Sequence, residues 1–347
     1  MYQKGGYFRY FTACLICFSL LFYNFYLTVN SSSKKEETEF VFNDNFSVFS
    51  NEEEEKEEQN ETVLNSEKPA EPQKTESAVT TTTGAVKGKI LSQYISPYKA
   101  SLSYNHTYVK NSTPLKIDVK ELLNGSLKFK MQKNSLPEVL ILHTHTTECF
   151  METSDDFYTA ETLSRTTDNN KNMAKIGETV AQKLNAAGIK TLHDKTQHDY
   201  PEYTGSYSRA AKTINSYLKK YPSIKVVIDL HRDSVTSGND KVKLVTEING
   251  KKAAQVMLVM GSQSGTVSNY PNWKENLKLA LKLQQTMEIK YPTLARPLML
   301  MSKSYNQPLS SGAMLIEIGT DANTLSEALY SAELVGDSLA SLLNTLN

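Results

Sequence analysis

The stretch VLILHTHTTE, residues 139–148, begins with apolar residues and runs directly into two histidines and a glutamate. A continuous apolar run of about four to eight residues is typical of a strand buried on both faces. Side chains alternate along a strand, so His143 and His145 share one side if the extended conformation continues past Leu142. Glu148 then lies in the following loop. Because open α/β sheets gather their ligands at the carboxyl ends of strands, this stretch predicts part of a functional site.

The chain after this stretch alternates strand patterns with helical ones. IKVVIDLH delivers His231 at the end of an apolar run, and MLIEIG carries Glu317 inside one. Apolar spacing and terminal signals predict helices near residues 173–184, 206–220, 273–289 and 325–343. This alternation predicts an α/β fold, a three-layer αβα sheet.

Residues 11–29 form a nearly unbroken apolar run that is long enough to cross a membrane. The run predicts a single transmembrane helix that remains as an anchor, with the short N-terminus inside and the rest of the chain extracytoplasmic. A cleaved secretory signal is the alternative. The acidic, Pro- and Thr-rich sequence that follows predicts a disordered linker. The predicted organisation is an anchor (1–30), a disordered acidic linker (31–85), a lead-in segment packed on the catalytic domain (86–136) and a catalytic domain (137–347).

The 38 basic and 38 acidic residues balance over the whole chain, but acidic residues crowd between Glu36 and Glu76. The remainder is mildly basic, which favours an anionic polymer such as a cell wall and does not indicate a nucleic-acid partner. Cys149 is the only cysteine of the predicted catalytic domain, so a disulfide framework within it is excluded. The chain has no G-x-S-x-G motif and Cys149 has no activating motif beside it, which disfavours nucleophilic hydrolysis.

Three separate strand ends carry side chains that suit a metal. These candidates are His143, His145 and Glu148 after the first strand, His231 after the second and Glu317 in the third. Two histidines, a carboxylate and a water are the ligand set of a catalytic zinc. The pattern therefore predicts a zinc site with Glu317 as the general base, since a lone charge in an apolar strand is costly to bury without a function.

Other readings of neighbouring residues stay open. His231 on its own could be a hydrogen-bonded core histidine. Arg232 could bind a substrate carboxylate, or it could form a local ion pair with Asp233. Two further polar pairs either support the site or are ordinary loop residues; they are His193 with Asp194 and His198 with Asp199.

Four motifs, in order along the chain, resemble the stage II sporulation protein P family of endospore-forming bacteria. The motifs are HTHTTE (143–148), HDYPEYTGSYSRA (198–210), IDLHRDS (228–234) and MLIEIGTDANT (314–324). The resemblance spans roughly residue 111 to the C-terminus. This family is similar to zinc-dependent N-acetylmuramoyl-L-alanine amidases, so the resemblance implies the amidase type of αβα sheet, a zinc cofactor and peptidoglycan as substrate.

The amidase resemblance implies a His, Glu, His zinc set and a catalytic glutamate in an E-x-G-x-x-x-N segment. That segment reads EIGTDAN here, which gives Glu317 the catalytic role and makes Asn323 a substrate-binding candidate. The chain departs from the amidase pattern in having both His143 and His145 where the amidases have one histidine among glycines. It also lacks their acidic ligand at the first helix, so Glu148 is the predicted acidic ligand and Asp168 its alternative.

The resemblance implies a membrane-anchored amidase that degrades septal peptidoglycan in the space between mother cell and forespore during engulfment. It further implies an endopeptidase activity and a complex with stage II sporulation proteins D and M. The competing hypothesis is a cell-wall-binding or scaffold protein that keeps the fold without turnover.

Overall fold

The computed structural model describes residues 84–132 and 134–346. The predicted anchor and nearly all of the predicted linker lie outside these residues. Within the described part of the chain, every helix is too short or too polar to span a bilayer.

The described chain alternates strands with helices, as predicted, and the mixed α/β class is confirmed. The strands are β1 (Val86–Gln93), β2 (Leu102–Tyr104), β3 (Thr107–Asn111), β4 (Val139–Leu142), β5 (Phe157–Thr159), β6 (Thr191–His193), β7 (Val226–Asp233), β8 (Thr236–Ser237), β9 (Asp240–Ile248), β10 (Lys251–Ala254), β11 (Val256–Gly261), β12 (Leu298–Met301) and β13 (Ala313–Thr320). The α-helices are α1 (Val119–Asn124), α2 (Met173–Ala186), α3 (Ser206–Lys220), α4 (Trp273–Lys290) and α5 (Leu325–Leu343).

The larger sheet has eight strands in the order β2-β3-β12-β11-β13-β7-β4-β6. Strands β13, β7, β4 and β6 are parallel to one another. Strand β11 runs antiparallel to β13, and β12 and β3 follow the direction of β11. The sheet is therefore mixed, and the carboxyl ends of β4, β7 and β13 meet at one edge.

Alternating side chains of β4 enter two different cores, which is why the apolar run VLIL has no polar face. Val139 and Ile141 join the core that holds α2, α4 and α5, whereas Leu140 and Leu142 join the core that holds α3. All of these strand side chains are fully buried. Helices thus cover both faces of the larger sheet, and α3 lies on the face that carries fewer helices.

The helix ends follow their sequence signals. Helix α5 begins with a capping box in which the Thr324 side chain accepts a hydrogen bond from the Glu327 backbone N–H and the Glu327 side chain accepts one from the Thr324 N–H. Helix α2 begins after Asn172, whose side chain accepts a hydrogen bond from the Ala174 N–H. Such caps satisfy backbone donors that the first helical turn leaves unpaired.

The segment 86–136 contributes strands to two sheets. Strand β1 lies between β9 and β5 in a second, smaller sheet, and β2 and β3 extend the edge of the larger sheet. Helix α1 packs against α4. The smaller sheet has no counterpart in the sequence-based prediction, because it joins strands that are distant along the chain.

Candidate metal centre

Three neighbouring parallel strands bring the predicted site residues to one edge of the larger sheet. Glu317 on β13 lies directly opposite His231 on β7 in the strand register. Asp229 and His231 are two residues apart on β7, so both point to the same side of the sheet. That side is the one covered by α3, because Val227 belongs to the core of that helix.

Three of the predicted ligands form a compact cluster. One potential ligand atom from each of His145, Glu148 and His231 lies within 4.8 Å of the other two, and all three residues are buried. The Nδ1 atom of His145 is 3.4 Å from Oε1 of Glu148, and the Nδ1 atom of His231 is 3.7 Å from Oε2. Two imidazole nitrogens and a carboxylate oxygen are a donor set that suits zinc.

His143 lies outside this cluster. Its Nδ1 atom is 2.9 Å from the Leu230 carbonyl oxygen and its Nε2 atom is 2.8 Å from Nε2 of His193. A Cβ atom at Gly177 in α2 would lie 2.6 Å from His143 Nε2, so the glycine makes room for the ring. Burial, followed by the charge of His193, lowers the pKa of His143 to about 3. The structure therefore places His143 in the core beside His193, away from the other predicted ligands.

The reason for this placement of His143 is local. Strand β4 ends at Leu142, and the residues that follow form turns rather than a continued strand. The alternation that would place His143 and His145 on one side does not extend to them. The two rings consequently enter different surroundings.

In both cluster histidines, the ring nitrogen that does not face Glu148 contacts another side chain. Nε2 of His145 is 3.1 Å from the Ser206 hydroxyl at the start of α3, and the ring stacks on Tyr203 with centroids 4.7 Å apart. Nε2 of His231 is 3.0 Å from Oδ1 of Asp229, a close ion-pair contact without the alignment of a hydrogen bond. Asp229 also accepts hydrogen bonds from the backbone N–H and the hydroxyl of Thr144. Groups behind metal-binding histidines commonly fix ring orientation in this way.

Oppositely charged groups in the cluster shift one another's pKa values towards the charged forms. Burial alone would lower the pKa of His231, but the carboxylates of Asp229 and Glu148 outweigh burial and hold this pKa well above its ordinary value. Burial alone would raise the pKa of Glu148, yet its close contacts with His145 and His231 and the charge of Arg232 hold this pKa well below the ordinary value. The carboxylates of Glu148 and Asp229 on either side of His231 mark a place that suits a cation.

Glu317 faces the same cavity as the cluster. The cavity measures about 400 Å³ and is lined by His145, Glu148, His231 and Glu317 together with tyrosines and basic side chains. Glu317 is 4% exposed, and its Oε2 atom has no hydrogen-bond partner among the described residues. Burial, with the nearby carboxylates of Asp233 and Glu148, raises the pKa of Glu317 to about 8 against the opposing charges of His231 and Arg296. A carboxyl with this pKa is suited to proton transfer near neutral pH.

Three of the predicted site residues make contacts other than the predicted ones. Asn323 is fully buried, where its side chain accepts from Thr320 N–H and donates to the Leu244 carbonyl and to Glu327, so no group remains for a substrate. Asp168, the alternative acidic ligand, is exposed and accepts a hydrogen bond from the Asn170 N–H instead.

Arg232 is the third of these residues. Its guanidinium donates to the backbone carbonyls of Cys149, Asp233 and Ser164. The carboxylate of Asp233 pairs with Arg296 at 2.9 Å, so the local ion pair with Arg232 is absent as well. Arg232 therefore ties together the loops around the cavity rather than presenting a free cation to a substrate.

A family model described as stage II sporulation protein P matches residues 21–340. The chain belongs to the stage II sporulation protein P family. The predicted membership is confirmed. The stage II sporulation protein P of Bacillus subtilis (strain 168) is 29% identical over 215 residues, which cover 57% of this chain and 49% of that protein. The chain thus spans about half the length of the curated relative it matches.

Solved amidases give looser similarities. The N-acetylmuramoyl-L-alanine amidase from Clostridium difficile 630 has 16% identity and a TM-score of 0.35, covering 61% of this chain and 97% of that chain. The CwlD amidase from Clostridioides difficile, solved in complex with the GerS lipoprotein, has 9% identity and a TM-score of 0.40, covering 60% of this chain and 99% of that chain. The chemistry of the site consequently rests on the contacts within this chain.

In this family member, two residues beside the cluster, one on β7 and one in a loop, were not singled out from the sequence. Asp229 could have been found, because it is a charged residue in an apolar strand, the same signal that identified Glu317. Arg165 contacts Asp199 and Glu148 and lies over the Tyr203 ring at 4.7 Å from its centroid. No periodic pattern marks it, since it lies in an irregular loop.

The polar pairs at the end of β6 and after it support the loop that follows β4. His198 lies with Nδ1 2.7 Å from the His143 carbonyl oxygen, and Asp199 accepts hydrogen bonds from the backbone N–H and hydroxyl of Thr147. His193 contacts His143 as described above, whereas Asp194 contacts Tyr217 and the Thr196 N–H. These residues shape the loop that holds His145 and Glu148.

Proposed function

We propose that this chain is a zinc-dependent peptidoglycan hydrolase that cleaves the amide between N-acetylmuramic acid and L-alanine. The observation that carries the proposal is the His145, Glu148 and His231 cluster, which shares one cavity with Glu317, whose Oε2 atom has no hydrogen-bond partner among the described residues. The two Nδ1 atoms and the Glu148 carboxylate would hold the zinc. When bound, zinc would polarise the scissile carbonyl as a Lewis acid.

Glu317 would act as the proton carrier. Its unpartnered Oε2 atom would accept a proton from the attacking water and deliver it to the leaving nitrogen of L-alanine. Burial favours this role, because the neutral carboxyl form becomes accessible near neutral pH. Tyr203 and Ser206 would keep the His145 ring in place throughout.

The setting of the reaction is part of the proposal. Residues 11–29 would anchor the chain in the membrane, with the described domain in the septal space between mother cell and forespore. Septal peptidoglycan would be degraded there during engulfment, with an endopeptidase activity on stem peptides in addition and stage II sporulation proteins D and M as partners. The apolar run and the family membership support this setting.

The test is an assay of the purified full chain on isolated sacculi, with and without a metal chelator. The expected products are stem peptides with a free N-terminal L-alanine, whose release stops with chelator and returns when zinc is added. Release that persists in chelator would contradict the zinc mechanism. Stoichiometric zinc without any release would instead favour a wall-binding scaffold.

Asp229→Asn is expected to weaken zinc binding by about 10–100-fold, because the amide no longer offers a full negative charge to Nε2 of His231. Zinc affinity is measured by competition with a chromogenic chelator. Thr144→Val is the matched control, since it removes a hydrogen bond to the other Asp229 oxygen and leaves the contact with His231. An equal loss of affinity in both variants would assign Asp229 a purely structural role.

A further inference from the structure

The cavity that contains the metal cluster is lined by the basic residues Arg165, Arg232, Lys241 and Lys303. Arg165 is paired with Asp199 and Glu148, and Lys241 is paired with Asp321 at 2.7 Å. Arg232 is occupied by backbone carbonyls. Lys303 differs from the others.

Lys303 is exposed and has no ion-pair partner within residues 84–132 and 134–346. Among the described residues, its ammonium is therefore the one basic group of the cavity wall that is held neither by a carboxylate, as Arg165 and Lys241 are, nor by backbone carbonyls, as Arg232 is. An uncompensated cation at the wall of a cavity attracts an anionic group of a ligand.

The backbone that carries Lys303 is closely packed. The Lys303 carbonyl accepts a hydrogen bond from the Ser262 N–H at 3.2 Å, and the hydroxyls of Ser264 and Ser302 are 2.8 Å apart. A Cβ atom at Gly261 would lie 2.2 Å from the Lys303 carbonyl oxygen, so only glycine allows this approach. These contacts fix the backbone of Lys303, which lies just after β12.

The residues that follow keep an unfavourable backbone conformation. Tyr305 and Asn306 have φ values of 49° and 54°, in the left-handed region that non-glycine residues rarely adopt. Buried Gln307 holds them in place through hydrogen bonds with the Gly261 N–H, the Tyr270 hydroxyl and the Val259 carbonyl. Such conformations persist where surrounding contacts over-determine them, and they are frequent at ligand-binding sites.

We propose that Lys303 binds a carboxylate of the peptidoglycan stem peptide and thereby selects substrates with an unmodified, anionic stem. This inference rests on the proposed function, because it takes the stem peptide as the ligand. The stem peptide carries carboxylates within a few residues of the muramoyl–alanine amide. A lysine ammonium suits this task as a compact charge on a flexible stem, which adapts to a carboxylate without a fixed bidentate geometry.

The test measures binding rather than turnover. The zinc-loaded full chain carrying Glu317→Gln is titrated by calorimetry with a soluble disaccharide tetrapeptide, with and without Lys303→Gln. The loss of Lys303 is expected to weaken binding by roughly two- to fivefold, the upper range of an exposed ion pair, and to reduce its salt dependence. Lys303→Arg is expected to retain most of the affinity. Lys252→Gln, on β10 and outside the cavity lining, is the control for overall charge.

A second ligand isolates the carboxylate. The same disaccharide peptide is prepared with its carboxylates converted to amides. This amide ligand is expected to bind the protein that retains Lys303 as weakly as the acid ligand binds Lys303→Gln. Replacing Lys303 should not weaken the binding of the amide ligand any further. Equal binding of the acid to both proteins, an equal loss with Lys252→Gln, or no binding at all would overturn the inference. Binding that depends on Lys303 in a chain that never cleaves sacculi would sustain the inference while refuting the proposed hydrolase.

Discussion

Replacing Glu317 with glutamine is expected to reduce turnover by about 10²–10⁴-fold while zinc stays bound, the range that general acid–base groups contribute. Glutamine has nearly the same shape, but its amide cannot accept a proton from water and return it to the leaving nitrogen. The ligand atoms of His145, Glu148 and His231 do not include this side chain, so the metal set remains complete.

The measurement pairs the rate of stem-peptide release with the zinc content of the same sample. Glu333→Gln, an exposed glutamate on α5, is the matched control and is expected to retain full activity. Retained turnover in Glu317→Gln would remove this residue from the mechanism. Loss of zinc from the variant would instead make Glu317 part of the metal set.

Glutamine at this position should also leave the fold intact or stabilise it. The Glu317 carboxyl is buried with an unpartnered oxygen, beside the carboxylates of Asp233 and Glu148. A neutral side chain removes the cost of burying a charge among like charges. Lower activity together with an unchanged or higher melting temperature would be typical of a residue kept for function.

The residues that sequence reasoning placed correctly are those at the ends of parallel strands. His231 and Glu317 are far apart along the chain, yet the register of β7 with β13 sets them side by side. Buried apolar runs predict such strands strongly, and the edge where their carboxyl ends meet follows from the α/β class. Predicting this part of the site does not require the path of any loop.

The contacts that sequence reasoning could not provide lie where the chain leaves regular structure. Asn323 was a substrate-binding candidate through the amidase resemblance, yet its amide closes a turn between Thr320 and Glu327. Arg165 and Asp199 meet beside Glu148 although both lie in irregular segments. Contacts of this kind depend on the path of loops, which periodicity and composition do not encode.

Strand direction was a further limit. Strand β11 pairs with β13 in the antiparallel direction and β12 pairs with β11 in parallel, which makes the sheet mixed. An apolar run predicts a strand, but it does not predict whether the neighbouring strand is parallel or antiparallel. The site is unaffected, because β4, β7 and β13 are all parallel.

The two histidines of HTHTTE are expected to respond in opposite ways to replacement by alanine. His145→Ala removes a cluster ligand, so zinc affinity should fall by more than the roughly 10–100-fold that loss of an outer partner causes. When zinc is limiting, turnover should fall in proportion to the fraction of the protein that holds zinc. The fold should be less affected, because the lost ring contacts the cavity and the partly exposed Tyr203.

His143→Ala should keep zinc bound but lower the free energy of unfolding by about 1–3 kcal/mol. The substitution leaves a void in the core and removes a partner from the Leu230 carbonyl and from His193. Zinc stoichiometry is measured well below the melting temperature, and stability by denaturant unfolding with zinc present. Each variant serves as the control for the other, since they lie two positions apart in one motif. Loss of zinc from His143→Ala with retention in His145→Ala would reverse the assignment, and the metal would then belong with His143 and His193 instead.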